Sequence, residues 1–320
     1  MSAAPADVST LTQRVVGEIE RAIVGKRLLL EQIMAAVLAG GHVLLEDYPG
    51  LAKTLIASSF ADALGLAFKR IQFTPDLLPG DITGGYIYDR AESRFELRKG
   101  PLFANIILAD EINRASPKTQ SALLEAMQEQ QVTLEGETMR LPEPFLVVAT
   151  QNPIEYEGTF PLPEAQLDRF LMKLSVGYPS PDEEQEILRR RRERRQDEFD
   201  LQQVTDGGEL LAMRQSVEAV HVHPDIDRYI VALTTATRQR RQVAVGASPR
   251  GSLGLLKLSR GLAATHGREF VLPDDVKAFV QPALVHRLIL EPDLWMQRHA
   301  ADEILADVLQ LVPVPVMVGA

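Results

Sequence analysis

This sequence reads as an α/β protein, a parallel sheet with flanking helices followed by an all-helical second domain. Short apolar runs resembling fully buried strands alternate with helical periods through the first half of the chain. Beyond Tyr178-Pro179-Ser180-Pro181 the strand-like runs stop and only helical periods continue. A length of 320 residues suits about two domains. We therefore place the boundary at residue 178, giving units 1–178 and 179–320.

Residues 11–38 read as helix, with Val15, Val16, Ile19 and Ile23 on one face and apolar residues continuing to Leu38. Val43-Leu44-Leu45 is a short buried strand ended by the turn residues Asp47-Tyr48-Pro49-Gly50. A helix follows over residues 53–64. Residues 106–109 and 145–149 are further buried strands, and 171–176 is a fourth. Alternating runs at 86–88 and 95–97 read as one hairpin, and 131–134 with 137–139 as another, turning at Glu135-Gly136. In the second half, Pro181-Asp182-Glu183, Pro224-Asp225, Ser248-Pro249 and Pro273-Asp274-Asp275 each place proline or an acid in a first helical turn.

Composition narrows the function. The sequence has 34 Lys+Arg against 44 Asp+Glu, a net charge of −10, which argues against broad nucleic-acid coating. Arg189 to Arg195, all Arg but for Glu193, reads as a solvated helix face, with an acidic partner or nucleic acid as the alternative. Cysteine is absent, which excludes disulfides, thiolate catalysis and Cys-type zinc sites and suits a reducing compartment. No export signal is recognisable at the N-terminus, and neither residues 32–45 nor the Pro-containing tail after Asp307 is long enough to span a bilayer. A cytoplasmic protein without a membrane span is the expectation.

The chemistry concentrates at strand ends. Residues 47–54, Asp-Tyr-Pro-Gly-Leu-Ala-Lys-Thr, follow a strand and open a helix, nearly matching the phosphate-binding pattern G-x-x-x-x-G-K-[ST]. Loop amides and the helix N-terminus would cradle phosphates, Lys53 would reach them, and the Thr54 hydroxyl would bind Mg²⁺. Asp47 and Ala52 replace the two pattern glycines, and Asp47 brings a carboxylate towards a polyanion unless it points away. About 55 residues later, an aliphatic strand ends in Asp110-Glu111. Acids at a buried strand end need partners. Asp110 would support the metal, and Glu111 would polarise an attacking water. Asn152 ends another strand and is a candidate to orient that water, or else a turn residue before Pro153. Asp168 and Arg169 read either as a surface ion pair or as a segment offering Arg169 to a neighbouring subunit. Arg250 follows the N-cap Ser248, where a cation opposes the helix dipole, which suggests an anion nearby. His221 and His223 could bind metal but read more simply as packing or surface residues, and Trp295 reads as a lid-core or interface anchor.

Taken together these segments resemble the MoxR family of AAA+ ATPases over essentially the full length. Residues 46–54 resemble its phosphate loop, in which alanine before the lysine is tolerated. Residues 110–115 resemble its Walker B segment, 149–153 its first sensor, 164–170 its arginine-finger segment, 248–250 its second sensor, and 23–25 the adenine-side segment of AAA+ proteins. The resemblance implies a parallel five-stranded AAA+ core, an insertion in the second helix over residues 72–102, and a helical lid. It implies ATP and Mg²⁺ as cofactors, bound by Val24, Gly25, Tyr48, Pro49, Gly50, Leu51, Ala52, Lys53, Thr54 and Leu55, with Thr54 and Asp110 on the metal. Glu111, Asn152, Arg169 and Arg250 would be catalytic. It further implies a hexamer that remodels a protein client, with hairpins projecting towards the ring's opening, often beside a partner carrying a von Willebrand A domain. A DNA-associated motor or loader and a nucleotide-dependent scaffold with little turnover are the alternatives.

Overall fold

A computed structural model describes residues 5–153, 158–295, 297 and 299–315. In chain order, the first unit contains α1 (Pro5–Ile19), α2 (Arg27–Leu38), β1 (Val43–Glu46), α3 (Lys53–Ala63), β2 (Phe68–Gln72), α4 (Pro79–Thr83), β3 (Gly84–Asp89) and β4 (Arg94–Lys99). It continues with β5 (Ile106–Asp110), α5 (Pro117–Glu129), β6 (Gln131–Leu134), β7 (Glu137–Arg140), β8 (Leu146–Gln151), α6 (Glu164–Leu167) and β9 (Met172–Leu174). The helical unit follows: α7 (Pro181–Arg194), α8 (Gly207–Glu218), α9 (Pro224–Arg238), β10 (Val243–Val245), α10 (Pro249–Thr265), α11 (Pro273–Leu284), β11 (Ile289–Leu290) and α12 (Ala300–Leu311).

Among the described residues one five-stranded sheet forms in the order β2-β5-β8-β1-β9, with every neighbouring pair parallel. Strand side chains alternate between two cores, as the two-residue period requires. Val43 and Leu45 face one apolar cluster and Leu44 the other; Ile106 and Leu108 oppose Ile107 and Ala109 in the same way. The β3–β4 and β6–β7 hairpins form as expected, and with α4 the first of them lies between β2 and β5.

Three local expectations change. Residues 11–38 are not one helix, because the chain breaks between α1 and α2, where Gly25 has a φ of +70°. The edge strand β2 had no legible apolar pattern, since within it only Ile71 is buried. The lid is helical but also carries a short antiparallel β10–β11 ribbon.

In packing, the first face of the sheet, α1 to α3 and the lid share one apolar cluster. Helix α10 rests on both α1 and α2. In linear order the last sheet strand, β9, ends at Leu174 and the helices resume at Pro181, but the two N-terminal helices bind sheet and lid together. No helix among the described residues is long and apolar enough to cross a membrane.

Candidate nucleotide site

The phosphate loop joins β1 to α3. Gly50 has a φ of +81°, which favours glycine, whereas Ala52 sits at φ +56° and ψ +19°, in the left-handed well that an L-residue can enter at some cost. Ala52 is the N-cap of α3 and offers no side-chain hydrogen bond to the first turn, so the helix N-terminus presents its amides to the cleft. The Lys53 ammonium lies over the loop, donating to the carbonyls of Asp47 at 2.6 Å and Tyr48 at 2.7 Å.

Asp47 points away from the phosphate side. Its Oδ2 accepts from the Ser175 hydroxyl at 2.8 Å and from the Gly177 amide at 2.7 Å, and its Oδ1 accepts from the Tyr48 amide. Burial raises its pKa, but these hydrogen bonds and the charge of Lys53 outweigh burial and hold the carboxyl below its ordinary value. This anion fastens the loop to the chain after β9.

Opposite the loop lie the ends of β5 and β8. Buried Thr150 fixes both acids. Its hydroxyl donates to Asp110 Oδ1 at 2.6 Å and accepts from the Glu111 amide at 2.8 Å. Asp110 Oδ2 accepts from Arg70 Nη2 at 2.6 Å and Nε at 3.1 Å. Glu111 adopts a φ of +57°, a strained setting of the kind found at functional sites. Its Oε2 accepts from Gln72 Nε2 at 2.8 Å and Arg114 Nη1 at 3.0 Å.

A cleft of about 490 Å³ is lined by residues 49–55, Arg70, Asp110, Glu111 and residues 150–152. It therefore gathers Pro49, Gly50, Leu51, Ala52, Lys53, Thr54, Leu55, Asp110, Glu111 and Asn152. A mostly apolar pocket of about 320 Å³ shares Gly50, Leu51, Ala52 and Leu55 with it, and adds Ile23, Val24, Ile56, Val176 and a wall of α7. Tyr48 contributes its carbonyl to Lys53, and its ring lies 6.1 Å from that of Tyr178. Gly25 lines neither cavity; it makes room for the Glu183 carboxylate of α7. A polar cleft with cation and amides on one wall and carboxylates on the other, sharing lining residues with an apolar pocket, has the chemistry to take a polyphosphate with a divalent cation and an apolar group beside it. Sequence reasoning missed Arg70, Gln72 and Thr150; the first two lie on the unread strand, and Thr150 showed only as part of a polar strand end.

Arg169 and Arg250 do not line this cleft. Arg169 Nη1 donates to the Leu124 carbonyl at 2.7 Å, beside Glu125 and Gln166. Asp168 does not pair with Arg169 at the surface. Its Oδ1 takes Arg287 Nε at 2.8 Å, while Oδ2 lies 3.2 Å from the Ser248 hydroxyl and 3.9 Å from Arg250. Asp168 is thus an anion beside Arg250. Burial lowers the Arg287 pKa, and Asp168 works against that shift.

The arginine run is more than a solvated face. Arg190, Arg191 and Arg194 help line the apolar pocket, Arg189 pairs with Glu186 and Glu193, and Arg194 stacks 3.7 Å from the Phe199 ring centroid. His223 caps α9 by accepting the Asp225 amide, and no metal-holding cluster occurs among the described residues. Trp295 is 69% exposed and so lies outside the lid core.

The fold and the cleft define a class: a parallel α/β core with a phosphate-type loop after its central strand, followed by a helical lid. The model of the ATPase family associated with various cellular activities (AAA) matches residues 42–172, and that of the AAA lid domain matches residues 235–308. The chain is 46% identical to Chaperone MoxR1 of Mycobacterium tuberculosis, over 97% of this chain and 84% of that protein. It is 48% identical to YeaC, an uncharacterized protein of Bacillus subtilis, over 98% of each. A crystal structure of a provisionally assigned ATPase from Cytophaga hutchinsonii matches with a TM-score of 0.91 at 38% identity, covering 98% of this chain and 97% of that one. The chain belongs to the MoxR family of AAA+ ATPases.

Proposed function

We propose that this chain hydrolyses ATP with Mg²⁺ and uses the cycle to remodel a protein client, as a hexameric ring. The carrying observation is that Lys53 and Thr54 face Asp110 and Glu111 across one cleft joined to an apolar pocket. The loop amides and Lys53 hold the phosphates. Thr54, with Asp110 in support, holds the metal, which when bound neutralises phosphate charge. Glu111 takes the proton of a water that Asn152 orients. Val24 and Leu55 bound the base.

The position of Arg169 outside its own cleft supports a role in the cleft of an adjacent subunit, and Arg250 at the lid supports sensing of the phosphate state. The name Chaperone MoxR1 of the M. tuberculosis relative supports a client-remodelling role. Family resemblance adds a partner carrying a von Willebrand A domain. The cysteine-free sequence suits a cytoplasmic setting. Units 1–178 and 179–320 serve as nucleotide core and lid.

Steady-state hydrolysis tests this reading. Glu111→Gln retains nucleotide binding and slows turnover about 10²-fold or more, whereas Lys53→Ala weakens binding itself. Equal turnover of wild type and Glu111→Gln would remove Glu111 as base. Mixing Arg169→Ala with Glu111→Gln restores part of the activity if rings form; turnover per chain that is unchanged down to clear monomer would defeat the ring.

A further inference from the structure

We propose that Arg70 is a positioning residue that competes with Mg²⁺ for Asp110 and so sets the metal concentration at which nucleotide binding tightens. The inference rests on the nucleotide reading above. Four observations carry it. Arg70 lines the same cleft as Lys53, Thr54, Asp110 and Glu111. Both Asp110 oxygens are engaged, Oδ1 by the Thr150 hydroxyl at 2.6 Å and Oδ2 by two Arg70 nitrogens at 2.6 and 3.1 Å. The two partners differ in exposure, 13% for the Asp110 side chain and 49% for that of Arg70. The same Arg70 Nη2 also donates to Gln72 Oε1 at 2.8 Å, and Gln72 Nε2 donates to Glu111 at 2.8 Å.

The carboxylate is held by a buried strand end, while the guanidinium reaches in from an edge strand. Arg70 is therefore the partner that can leave, and it can do so without stranding a buried cation. A divalent cation that takes support from Asp110 meets Arg70 as a like charge on the same oxygen. Metal support by Asp110 and the Arg70 pair thus exclude one another in part. The released guanidinium stays at a cleft built for polyphosphate, for which its planar fork is suited. Through Gln72, the exchange also reaches the hydrogen bonding of Glu111.

The test is a titration of the full chain with fluorescent ADP and with a non-hydrolysable ATP analogue, from EDTA through stepwise Mg²⁺. Arg70→Gln should lower the half-effective Mg²⁺ concentration about threefold, the scale of a half-exposed ion pair. Arg70→Lys, which keeps the charge but loses the fork, should lower it less. A uniform loss of affinity at every Mg²⁺ concentration, with the half-point unmoved, is what a merely structural role gives and would overturn the inference alone. If the wild type binds no nucleotide at any Mg²⁺ concentration, the ATPase reading falls and the inference with it.

Discussion

Asp47 stands where the general phosphate-loop pattern has glycine, and its carboxylate is turned towards Ser175 and Gly177. The substitution that looked hostile to a polyanion is instead a tether between the loop and the chain after β9. His42 shows the same dependence of a polar side chain on distant partners. It is buried, with Nδ1 accepting the Val147 amide at 3.0 Å and Nε2 facing the Met127 carbonyl at 3.0 Å. Burial pulls its pKa from 6.5 to about 4, with Arg214 adding to the shift and the Met127 hydrogen bond opposing it. The unfolded chain therefore binds the extra proton first. His42 contributes its full stability above about pH 6.5 and loses it as pH falls towards 4, about 2–3 kcal/mol between pH 7 and 4.5. Urea unfolding at these two pH values should show a smaller loss for His42→Gln than for wild type; equal losses would refute the assignment. His286, buried and lowered in the same direction, accounts for part of what remains.

At the scale of elements, the sequence was most legible where local chemistry repeats. Ser180 caps α7 by accepting the Glu183 amide, and Glu183 returns the bond to the Ser180 amide. Proline opens α7, α9, α10 and α11 as read. Strand β2 escaped because an edge strand with a single buried residue has no period to read, and with it went Arg70 and Gln72. The break before α2 hinges on Gly25, where any Cβ would collide with the Glu183 side chain while φ is already positive. Gly25→Ala should therefore strain the backbone and displace the capping carboxylate of α7. The expected cost is about 2 kcal/mol in denaturant unfolding; a change below about 0.5 kcal/mol, the level of an ordinary surface substitution, would disprove the coupling.

For the whole molecule, Asp168 joins core to lid. The Arg287 side chain is 3% exposed and donates to the Asp168 carboxylate and to the Phe170 and Leu171 carbonyls. Asp168→Ala would leave that cation buried without its counter-charge, at a cost of about 3 kcal/mol. A double-mutant cycle with Arg287→Met, read by urea unfolding, should return a coupling above about 1 kcal/mol; strict additivity would sink the latch. The adjacent Arg169 then sits on a turn whose other side chain is fixed by the lid. By itself the sequence determined the buried strands, the helix starts and the phosphate loop, because periodicity, caps and turn residues act between near neighbours. Only the tertiary structure decided which partner each polar group meets. Arg70 finds Asp110 across 40 residues and Asp168 finds Arg287 across 119, because strand order and lid packing, not spacing, bring those charges together.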